Sequence, residues 1–164
     1  MSQPAARQPV SHAEYGAMLW HLCTKLTLEF TKNFQFEAAD KEALNARVVE
    51  ILALHLWAAL KAVGTDDTLA LDELHKLYLE SVARDLAPGA SIARLKDELL
   101  ARYAEYFKAW KDETDNVTQH DFAAAAEARV FGRAAADSVK FMGWVLAAMA
   151  ATVKMRGELE IRPQ

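Results

Sequence analysis

The sequence predicts an all-α, single-domain bundle of five or six helices around a central apolar C-terminal helix. Three observations predict it. Residues 141–153, FMGWVLAAMAATV, form an uncharged run between Lys140 and Lys154. At about 1.5 Å per residue that run makes a rod roughly 20 Å long, short of the roughly 30 Å of a hydrocarbon core. It is apolar on nearly every side, as a helix enclosed by other helices is. Second, apolar residues recur at spacings of three and four through most of the chain. Third, the chain is rich in alanine, the best helix former, and its few Gly and Pro fall mostly where helices would end. A chain of 164 residues suffices for one hydrophobic core, so residues 1–164 read as one helical domain.

Residues 1–10 read as a short disordered lead carrying Pro4 and Pro9. Ser11, with Glu14 three residues on, forms a capping-box pattern that opens the first helix. Tyr15, Leu19, Leu22, Leu26 and Phe30 give that helix one core stripe, and it fades around Asn33. The second helix begins between Glu37 and Asp40 and runs to Val63, where Gly64 supplies the stop. Val49, Leu52, Leu56, Leu60 and Val63 lie on its inner face, with Arg47, Glu50 and Lys61 outside. Leu54, Trp57 and Ala58 fall near that outer meridian, so another helix or another protein must cover them.

Asp66, Asp67 and Thr68 cap a third helix that runs to about Leu86 and ends at Pro88-Gly89. Ser91 caps a fourth, strongly amphipathic helix. Ile92, Leu95, Leu99, Tyr103, Tyr106 and Trp110 line its core side, and Arg94, Glu98, Arg102, Glu105 and Lys108 read as solvated charge. Thr118 and Asp121 resemble a further N-terminal cap. From residue 119 to about 156 only Gly132 and Gly143 interrupt good helix formers, which predicts two segments or one helix kinked near Gly132. Arg129, Arg133, Asp137 and Lys140 form one charged meridian if that helix is continuous, and residues 157–164 read as a frayed tail.

A net charge of -4 argues against nucleic-acid and membrane-surface partners, both of which require basic surface. Cys23 is the sole cysteine, so no intramolecular disulfide forms, and no apolar segment for a signal peptide precedes Ser11. A cytoplasmic location is the expectation.

Chemistry-bearing patterns are sparse. Asp72 and His75 are three apart on one helix, close enough to share an ion, and His55 borders an apolar face. A di-iron bundle needs carboxylates from several helices plus Glu-x-x-His motifs, and the chain has none. His120-Asp121 is the dipeptide of helical metal-dependent phosphohydrolases, but no spacing selects its distant partners. Cys23 and His21, two apart on a helix, face different directions. No catalytic residue and no cofactor is implied.

What remains concerns association. Gly143, Ala147 and Ala151 make a small-residue ridge at i+4 spacing with Trp144 beside it. This ridge, or the patch Leu54, Trp57 and Ala58, is expected to meet a second copy in a dimer or another protein. The expected function is therefore that of a non-catalytic cytoplasmic accessory protein acting through helix–helix association. The alternative is a bundle that binds a small apolar ligand, or a metal at His55, Asp72 and His75, with a metal-dependent hydrolase as its enzymatic form.

Overall fold

The computed structural model describes residues 6–35, 37–110 and 116–163. Among them the chain forms six helices and one two-stranded parallel sheet. Strand β1 (Gln8–Ser11) leads into α1 (His12–Asn33), followed by α2 (Lys41–Val63) and α3 (Thr68–Ser81). A π-helical turn, Val82–Leu86, extends α3; α4 (Ile92–Ala109), α5 (Asn116–Phe131), α6 (Ser138–Gly157) and β2 (Leu159–Arg162) complete the chain. The all-α class and the helix number agree with the sequence.

Local chemistry sets the helix ends. The Ser11 hydroxyl accepts from the Glu14 amide, and the Ser11 amide donates to the Glu14 carboxylate at 2.7 Å. Asp40, Asp67, Ser91 and Asp137 each accept a backbone amide at the start of α2, α3, α4 and α6. The caps expected at Ser11, Asp67 and Ser91 are therefore present. The cap expected at Thr118 falls on a side chain outside the described residues; α5 already begins at Asn116.

The centre of the bundle is α2, not α6. Every residue from 51 to 59 is buried, and α2 packs against α1, α4, α5, α6 and the π-helical turn. Among the described residues α2 is also the one helix long and apolar enough to cross a membrane by length and composition, and 56% of that stretch is buried inside the fold. Helix α6 lies along one side of it. Phe141, Met142, Val145, Ala148 and Thr152 face the core, while Gly143, Leu146, Ala147, Ala150 and Val153 face outward. An uncharged run of small residues satisfies a hydropathy reading without requiring cover on every side, and α6 is such a run.

Leu54, Trp57 and Ala58 are core residues, 1%, 0% and 1% exposed. Trp57 stacks on Phe122 of α5 with ring centroids 4.5 Å apart, and Tyr106 of α4 and Trp110, just past its end, close the cluster. The covering helices come from this same chain, so the patch is not an association surface.

The expected lead and tail are partly ordered. Val10 pairs with Ile161 in the parallel ladder, and Val10 and Leu159 are buried. Four-residue strands carry too little period to be read from sequence, and these two lie at opposite ends of the chain. Residues 1–5 fall outside the described residues.

The break between α5 and α6 occurs at Gly132, as the sequence suggests. Its φ of +70° favours glycine, and a Cβ there would stand 2.5 Å from the Arg47 guanidinium. The Glu127 carboxylate accepts the Ala135 amide at 3.0 Å and holds the loop. The charged meridian is divided accordingly: Arg129 pairs with Glu105 of α4, while Lys140 donates to the Asn33 carbonyl. Arg102 is likewise not solvated. It is 9% exposed and grips Glu50 of α2 through two hydrogen bonds, at 2.5 and 2.8 Å. Ile92, placed on the core side from sequence, is 46% exposed at the first turn of α4.

Candidate interaction surface

The residues expected to hold a metal or ligand are occupied within the fold. His55 is 2% exposed. The Trp144 indole N–H can only donate, so at 2.9 Å it fixes His55 Nε2 as an acceptor. Nδ1 therefore carries the proton and donates to the Thr27 hydroxyl, also at 2.9 Å. Both ring nitrogens are taken, and burial holds the His55 pKa down to about 3. The ring is neutral and structural.

His75 bonds the Tyr103 hydroxyl through Nε2 at 3.0 Å, and burial lowers its pKa while the Asp72 charge raises it. Asp72 itself is exposed, and no hydrogen bond joins it to His75. His55 does not join them: among the described residues, no three His, Cys, Asp or Glu side chains are grouped to hold a metal ion. Cys23 is buried, and desolvation pushes its thiol up to about 12, far from a reactive thiolate.

The outer face of α6 differs. Val139, Gly143, Leu146, Ala150 and Val153 follow one another at steps of four and three, all exposed, with Ala147 alongside. Val139 is 84%, Leu146 40% and Val153 59% exposed. These steps average 3.5 residues, close to the helical repeat, so the residues share one stripe about 20 Å long. No charge interrupts it before Lys154. Lys140, at its edge, turns to the Asn33 carbonyl at 2.6 Å and lies 4.7 Å from the Phe34 ring centre.

Of the seven residues expected from sequence to mediate association, Gly143 and Ala147 lie open on this face. Trp144 and Ala151 sit half-buried at its edge, and Leu54, Trp57 and Ala58 are interior. Val139, Leu146, Ala150 and Val153 were missed. A walk in i+4 steps turns about 40° per step and leaves the face by Ala151; alternating steps of four and three stay on it. Val139, Leu146 and Val153 stand seven residues apart along this face, with Gly143, Ala147 and Ala150 between them.

A shallow cleft of about 280 Å³ lies at the N-terminal end of α6, lined by Phe34, Phe131, Arg133, Asp137 and Lys140 among others. Its Lys140 ammonium and Asp137 carboxylate already serve the fold. Comparison with protein-family models, curated proteins and solved structures finds no match to this chain.

Proposed function

We propose that this chain is a non-catalytic accessory protein of the cytoplasm that works by helix–helix association through the outer face of α6. One observation carries the reading: an uncharged apolar stripe runs along a helix whose other side is fully engaged in the core. Single exposed apolar residues are ordinary, but five in helical register on one face form a contiguous patch. The histidines that suggested ligand or metal chemistry support the same conclusion, since His55 and His75 bond Thr27, Trp144 and Tyr103.

Native mass spectrometry, on protein purified without added metal or chelator, tests this directly. The expected result is an assembly of more than one chain with no additional mass, which Leu146→Glu returns to single chains without loss of helical circular dichroism. A single chain carrying a stoichiometric small molecule or metal would sink the association reading.

A further inference from the structure

We draw no further inference here: the strongest candidate, the shallow cleft at the N-terminal end of α6 where the exposed Arg133 stands beside Phe34 and Phe131, carries nothing, because its Lys140 and Asp137 already serve the fold and none of the described buried polar side chains left without a partner lines it.

Discussion

Helices α2 and α6 are the two most apolar helices of the chain, yet one is enclosed and the other is half open. Along α2 the apolar residues are large (Ile51, Leu52, Leu54, Leu56 and Trp57), and helices on several sides cover them. Along α6 the large residues Phe141, Met142 and Val145 point inward, and the outer face mixes Gly143, Ala147 and Ala150 with Val139, Leu146 and Val153. Burying a large apolar side chain is worth about 1.5–3 kcal/mol, and an alanine far less, so limited cover goes to the large residues first. Apolar content therefore ranks a helix for burial poorly; the size of what each face carries ranks it better. Val139, Leu146 and Val153 are the departures from that rule, and the proposed association rests on them.

Truncating α2 and α6 at matched positions sharpens the contrast most. Trp57→Ala removes the ring stacked on Phe122 and is expected to lower unfolding stability by about 3–5 kcal/mol. Leu146→Ala, on the outer face, should move the stability of the single chain by no more than about 0.5 kcal/mol. Urea denaturation of both at a concentration that favours single chains reads the difference. Trp57→Phe should cost less than Trp57→Ala, since the indole N–H it deletes has no partner among the described residues. Equal effects at positions 57 and 146 would mean that α2 is not the centre.

Acidification is the next largest lever, and it acts on the enclosed side. His55 has its pKa lowered from 6.5 to about 3 by burial, so the unfolded chain takes up this proton first as pH falls. Its contribution to stability is complete above about pH 6.5 and is lost as pH drops from there toward 3. The slope from this one group reaches about 1.4 kcal/mol per pH unit. His75, also lowered by burial, acts with the same sign. Urea midpoints between pH 7 and pH 5 should fall steeply for the native chain. They should fall less steeply for His55→Gln, whose stability at pH 7 is lower from the start. A native midpoint that does not change over this range would contradict a buried neutral His55.

How much of this was readable beforehand depends on range along the chain. Caps are local events, so Ser11 with Glu14, Asp67, Ser91, Gly64 and Gly132 marked their helix ends correctly. Pairings between helices are not local. Arg102 with Glu50, Arg129 with Glu105 and His12 with Asp67 join residues whose meeting depends on the completed bundle. The sheet joining Val10 to Ile161 is the extreme case, because its two strands close the chain end to end. The candidate surface falls between these limits. Its helix and two of its residues, Gly143 and Ala147, were legible. The outward orientation was not, because nothing in the apolar run 141–153 says which side α2 will cover.

The smallest expected effects come from two glycines of the same kind in opposite surroundings. In a helix, alanine is favoured over glycine by about 0.5–1 kcal/mol, because it loses less backbone entropy on folding. At Gly143 no heavy atom lies within 4 Å of an added Cβ, so Gly143→Ala should stabilise the single chain by about that amount. At Gly16, where α1 crosses α3, the added Cβ would lie 2.5 Å from the Ala70 carbonyl oxygen and 2.7 Å from Glu73 Cβ. A backbone oxygen cannot move aside without shifting α3, and overpacking of this kind costs about 1–3 kcal/mol, which outweighs the helix gain. Gly16→Ala should therefore destabilise. The same methyl group thus reports the two environments with opposite signs, by thermal denaturation at low protein concentration. If Gly143→Ala also destabilises there, the outer face of α6 is already covered within the single chain, and the contrast with α2 is lost.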